Sequence, residues 1–151
     1  VIEHVPDILK HLQKAYSIAK KDGFLFLATP NVDSIQHKLP FSLSPHFDSA
    51  HLFLFSRKSL IAALEMTGWD VIEIRTNEYL VYWSRVLTKI LRRLKYTNGD
   101  YKAGEYVNNS GLISLYFYQT LRFALKPLLI LQGRLNLGNE LFVIARKKTH
   151  V

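Results

Sequence analysis

The stretch that most constrains the fold is Phe24-Leu25-Phe26-Leu27-Ala28, an unbroken apolar run. It is too short for a helix that stands alone, and it lacks the alternation of a strand with one wet face. Such a run predicts a central strand covered on both faces, as in parallel sheets held between helices. Its flanks agree. Residues 7–20 place Ile8, Leu12, Ala15, Tyr16 and Ala19 on one side at helical spacing, with the polar residues elsewhere. Asp7 suits the positive end of that helix, Lys20 and Lys21 suit the negative end, and Gly23 is expected to supply the left-handed residue that stops it. The run closes on Thr29-Pro30-Asn31, where Pro30 has no N–H for a ladder bond and the chain must leave the sheet.

Residues 31–50 show no period and carry Pro40 and Pro45. A loop of that length is unusual in a compact domain and suits a lid over a site. Ser56 then reads as the N-cap of a helix over 57–67, with Leu60, Ile61 and Leu64 inward and Gly68 closing it. Residues 69–75 (WDVIEIR) read as the next strand, and 141–146 (LFVIAR), after a Gly138-Asn139 turn, as the last.

Between those strands the character changes. Residues 79–95 hold Leu80, Trp83, Val86, Leu87, Ile90, Leu91 and Leu94 on an apolar helical face, while Arg85, Lys89, Arg92, Arg93 and Lys95 add five cations. A polar loop is expected over 97–111, followed by an apolar segment at 112–132. That segment is long enough to span a bilayer, which takes about 20 residues. Arg122 and Lys126 would each cost about 2.5–3.5 kcal/mol in its middle, and Pro127 adds a break. The expectation is instead a helix pair packed over the domain or lying in a lipid interface.

The net charge of +8 is confined to this part of the chain: residues 1–76 carry 8 Lys and Arg against 8 Asp and Glu, and residues 77–151 carry 12 against 4. A neutral scaffold joined to a basic surface points to an anionic partner, or to a basic face that is merely solvated. Nucleic acid is not expected, because the cations cluster on one helix with no base-reading module. With no cysteine, disulfides, zinc–thiolate sites and thiol nucleophiles are excluded, and a cytoplasmic, membrane-peripheral location fits.

Four pieces, VIEHVPD, KKDGFLFLATPNVDS, HFDSAHLFLFSRKSL and AALEMTGWDVIEIR, resemble in that order the later half of class I S-adenosylmethionine-dependent methyltransferases. The nearest group is the small-molecule O- or C-methylating enzymes similar to those of ubiquinone biosynthesis. The resemblance covers residues 1–76 and 138–147. It implies an α/β fold, the C-terminal half of a doubly wound Rossmann-like sheet. Residues 1–76 would be core, 77–136 an inserted helical, basic and aromatic-rich cap or membrane-surface element, and 137–151 the final core strand and tail. The implied activity is methyl transfer to a small, hydrophobic or lipid-linked acceptor. The alternative is a noncatalytic membrane-associating domain that keeps a partial α/β scaffold. Lys21-Asp22-Gly23 replaces the family's usual Pro-Gly-Gly turn. The seven glycines at 23, 68, 99, 104, 111, 133 and 138 never form G-x-G-x-x-G, so S-adenosylmethionine is expected to be bound mainly by a preceding half, and the chain to be an inactive fragment without it.

The resemblance places Glu3 and His4 at the cofactor and substrate pocket. His4 is the expected catalytic base, since imidazole titrates near neutrality, or else a group that hydrogen-bonds the helix start. Some relatives use the Glu-His pair as metal ligands, but two ligands are too few to expect a metal. Asn31 just past the strand, His51 in the long loop, and Tyr79 and Trp83 on the basic helix are the expected substrate contacts, although Asn31 equally suits a turn and the helix could simply cover the sheet with its apolar face. His46, Asp48 and His51 also invite a metal reading, but a lid over substrate is the better use of that loop.

Overall fold

The computed structural model describes residues 2–39, 51–94 and 112–148. A single 3-10 turn, Ile2–His4, opens the chain and is followed by α1 (Ile8–Ile18), β1 (Phe24–Pro30), α2 (Ile35–Lys38), α3 (Arg57–Met66), β2 (Trp69–Asn77), α4 (Leu80–Leu94), α5 (Leu112–Arg134) and β3 (Glu140–Lys147). The chain is thus mixed α/β. The Asp7 side chain accepts from the Lys10 N–H at 2.9 Å to start α1. Ser56 and Ser59 exchange side-chain-to-backbone bonds at 3.0 Å in a capping box that starts α3.

The left-handed residue after α1 is Asp22, with φ 57°, and not Gly23. Asp tolerates that conformation through its short polar side chain. Gly23 is required for a different reason: a Cβ there would stand 2.9 Å from the Lys20 carbonyl oxygen. Gly68 does take φ +88°, and a Cβ there would be 2.8 Å from the Tyr16 ring.

The sheet has three strands in the order β1-β3-β2, with β3 antiparallel to both neighbours. Pro30 of β1 and Asn77 of β2 both stand opposite Glu140. The carboxyl ends of β1 and β2 therefore lie at the same end of the sheet, two strand spacings or roughly 10 Å apart. One face carries Leu141, Val143 and Ala145, packed against Leu12, Leu60, Leu64 and the 1% exposed Trp69. Trp69 sets its ring edge-on to Tyr16 at 5.7 Å and donates its indole N–H to the Leu12 carbonyl at 3.3 Å.

The sequence-based expectation of a central β1, covered on both faces of a parallel sheet, differs from this arrangement. Among the described residues β1 pairs only with β3, and antiparallel. Leu25 and Leu27 pack against the core cluster, whereas Phe24 and Phe26, on the opposite face, are 56% and 70% exposed. A continuous apolar run records how much greasy surface a strand has, not which partner covers it.

The helical expectation at 79–95 is met by α4, which buries Leu80, Tyr82 and Val86. The segment from 112 is one helix that continues through Pro127 to Arg134. It runs beside β2 without covering its own apolar surface: Phe123 is 80% and Leu128 62% exposed. No helix among the described residues is long and apolar enough to cross a membrane. The loop expected over 31–50 contains α2, capped by Ser34, whose hydroxyl accepts from the His37 N–H at 3.3 Å and donates to Asn139 at 3.1 Å. Local pattern is silent on that turn because its anchor, Asn139, lies 105 residues away. His46, Asp48 and the loop over 97–111 lie outside the described residues.

Candidate functional site

The first cluster gathers at the carboxyl end of β1. The 3-10 turn sets Glu3 against the strand, and its carboxylate accepts from the Thr29 hydroxyl at 3.1 Å. The other carboxylate oxygen lies 3.5 Å from His4 Nε2. The Glu3 backbone carbonyl also accepts from the N–H groups of Leu52 (2.9 Å) and Phe53 (3.2 Å). Those two bonds pin the segment that carries His51, and bring its ring to 4.8 Å from that of His4. His51 thus joins the Glu3–His4 pair, where the sequence places it on the inner side of the loop. One donor atom from each of Glu3, His4 and His51 falls within a 4.8 Å group.

Burial raises the Glu3 carboxyl, whereas hydrogen bonds from its own backbone N–H and from Thr29 lower it. A carboxylate beside an imidazole orients the ring and favours its protonated form after it has taken a proton. The His4 side chain is 45% exposed, so a ligand can reach it. A carboxylate with two imidazoles is also a donor set that suits a divalent transition metal. His37, on α2, is a neighbour that sequence reasoning passes over: burial, then the charge of His51, lower its pKa.

The second cluster forms where the carboxyl end of β2 meets α2, α5 and β3. Glu78 is only 8% exposed, and its Oε2 accepts from Gln132 Nε2 (2.8 Å) and the Asn139 N–H (2.9 Å), while Oε1 takes no hydrogen bond. Burial, with Glu140 adding to it, pushes Glu78 up to about 7, against the pull of the Asn139 N–H. Tyr82 donates its hydroxyl to Glu140, and burial followed by that bond raises its pKa. Glu78 is missed by sequence reasoning, although it is the only acid in residues 76–99. A lone acid in a basic stretch is the signal that marks it.

The remaining expected substrate contacts are not in the His4 cluster. Asn31 is buried, and its amide is spent on the turn before β3: Nδ2 donates to the Gly138 carbonyl at 2.7 Å and Oδ1 accepts from the Asp33 N–H at 3.1 Å. Trp83 donates its indole N–H to Gln132 Oε1 at 3.1 Å, which ties α4 to the Glu78 network. Tyr79 is more open, with its ring 6.1 Å from that of Tyr82, and it lines a cleft of about 1230 Å3 between β2, α4 and α5. The sheet thus presents a carboxylate–imidazole group at the end of β1 and an open cleft by the end of β2. Open α/β sheets hold their ligands at the carboxyl ends of strands.

A comparison with curated proteins gives no match. A family model described as a methyltransferase domain matches residues 1–74, the stretch that carries Glu3, His4, Thr29 and His51. This is the family expected from the four sequence pieces, and the first 74 residues of the chain therefore belong to the methyltransferase domain family.

Proposed function

We propose that the chain takes part in S-adenosylmethionine-dependent methyl transfer to a small hydrophobic acceptor held at the carboxyl ends of β1 and β2. The observation that carries this reading is the convergence of Glu3, His4 and His51 inside the matched methyltransferase segment. S-adenosylmethionine, when bound, supplies an electrophilic methyl group on a sulfonium. The Glu3 carboxylate and the accessible imidazoles suit the charge of that end of the donor. No G-x-G-x-x-G pattern here brings backbone amides around the methionine end of the donor. The doubly wound sheet follows as part of the same reading, with the open edge and bare face of β1 as the place where further elements would lie.

Within that arrangement His4 Nε2, oriented by Glu3 Oε1, takes the proton of an acceptor hydroxyl as its oxygen turns nucleophilic, and Thr29 holds Glu3 in place. His51, pinned through the Glu3 carbonyl, closes over the acceptor from the loop side. In the protein as encoded, His4→Ala is expected to lower turnover by about 100-fold or more, with little change in donor affinity. Unchanged turnover would reduce His4 to a structural residue.

A second reading, a noncatalytic membrane-associating domain, draws on the exposed apolar side chains of α5. Absence of methyl transfer to any lipophilic acceptor, with vesicle binding intact, is the outcome that favours it.

A further inference from the structure

The cleft between β2, α4 and α5 has an uneven charge. Arg57, Arg75, Arg122, Lys126 and Arg134 line it, and the carboxylate among its lining residues is Glu78. Glu78 does not offset them, because it is buried and its Oε2 is engaged by Gln132 and Asn139 inside the protein. Two of the cations are partly committed: Arg57 donates to Asn136 at 2.7 Å, and Arg75 lies 3.6 Å from Glu73. Arg122, Lys126 and Arg134 have no carboxylate partner among the described residues.

These three follow one stripe of α5 at helical spacing, with Ile130 between Lys126 and Arg134. Like charges four residues apart, as at Arg122 and Lys126, destabilise a helix, so the stripe carries a cost that a bound anion would relieve. Phe123, Leu129 and Ile130 line the same cleft and give it an apolar wall, with Phe123 and Ile130 exposed. A bare inorganic anion has no use for that wall, and an uncharged lipid has none for the cations.

We propose that this cleft binds an anionic amphiphile, whose phosphate or carboxylate head meets Arg122, Lys126 and Arg134 while its hydrocarbon chain lies along Phe123, Leu129 and Ile130. Its use as the methyl acceptor rests on the function proposed above. The binding does not, so the test reads binding rather than turnover, and each can fail without the other.

The probe is dodecyl phosphate below its micellar concentration, followed by calorimetry or by Trp83 fluorescence on the full chain. Inorganic phosphate, dodecyl maltoside and phosphatidylglycerol vesicles form the comparison arms. Dodecyl phosphate is expected to bind, with phosphate alone and the uncharged maltoside each at least about 10-fold weaker, since each lacks one half of the complementarity. Arg122→Gln with Lys126→Gln should weaken dodecyl phosphate by at least about 10-fold. The same charge loss on α1, Lys10→Gln with Lys14→Gln, should leave it unchanged. Both pairs are exposed, and a thermal melt confirms that each variant is folded. Should the α5 variant misfold, Ile130→Ser tests the apolar wall by itself and should weaken dodecyl phosphate while sparing the binding of inorganic phosphate. Equal affinity of the α5 variant overturns the proposal. So does inorganic phosphate that binds as tightly as the amphiphile, and so does binding seen only with vesicles, which would mark a membrane surface instead of a cleft.

Discussion

Replacing Glu78 with glutamine removes a titrating group from the buried junction while keeping its shape. Burial pushes Glu78 up to about 7 from an ordinary 4.5. An acid whose folded pKa is raised favours the protonated form in the folded state. Its contribution to stability is therefore fully present below 4.5 and is lost as pH rises through 7. At about 1.4 kcal/mol for each tenfold change in proton affinity, that loss amounts to about 3 kcal/mol. Glutamine keeps an oxygen to accept from Gln132 and the Asn139 N–H, and cannot ionise. Urea unfolding of both proteins between pH 4.5 and 8 measures the effect. Glu78→Gln is expected to gain about 3 kcal/mol relative to wild type across that range, or roughly 6–12 °C in melting temperature for a chain of this size. Groups common to both proteins, including His37 and Glu140, largely cancel in the difference. A difference that does not change with pH would refute the reasoning and show that solvent reaches Glu78 in the folded state.

Two further outcomes follow from particular contacts. Gly68→Ala puts a Cβ on a residue at φ +88° and within 2.8 Å of Tyr16, so chemical denaturation should show a loss of about 1–3 kcal/mol; a neutral result would mean that the turn after α3 relaxes freely. If the cations of residues 79–95 meet anionic lipid, co-sedimentation with phosphatidylglycerol vesicles should fall steeply with salt and with Arg92→Glu plus Arg93→Glu, whereas salt-insensitive binding would assign that helix to hydrophobic packing alone.

Much of the scaffold is legible from local chemistry. The spacing of Leu12, Tyr16 and Ala19 defines α1, Ser56 starts α3, and Gly68 ends it, because caps and helical period act over three or four residues. The family was legible too, since the four quoted pieces fall, but for Arg75, within the segment that the methyltransferase model matches, while the resemblance expected over 138–147 lies outside it. The site was legible in part. Glu3 and His4 are adjacent in sequence, but the arrival of His51 depends on two backbone bonds to the Glu3 carbonyl from 49 and 50 residues away, and no periodicity encodes that.

By itself the sequence determined where the longer helices and the strands lie, α2 apart, where the charge lies, and which family the first 74 residues match, since each depends on side chains that are near one another along the chain. The tertiary structure alone decided that β3 lies between β1 and β2, that Asn31 and Trp83 are spent on holding the fold, and that Glu78 is buried with one oxygen unpaired. Those outcomes depend on strand register and on which elements exclude water from one another, and both are settled only when distant parts of the chain meet.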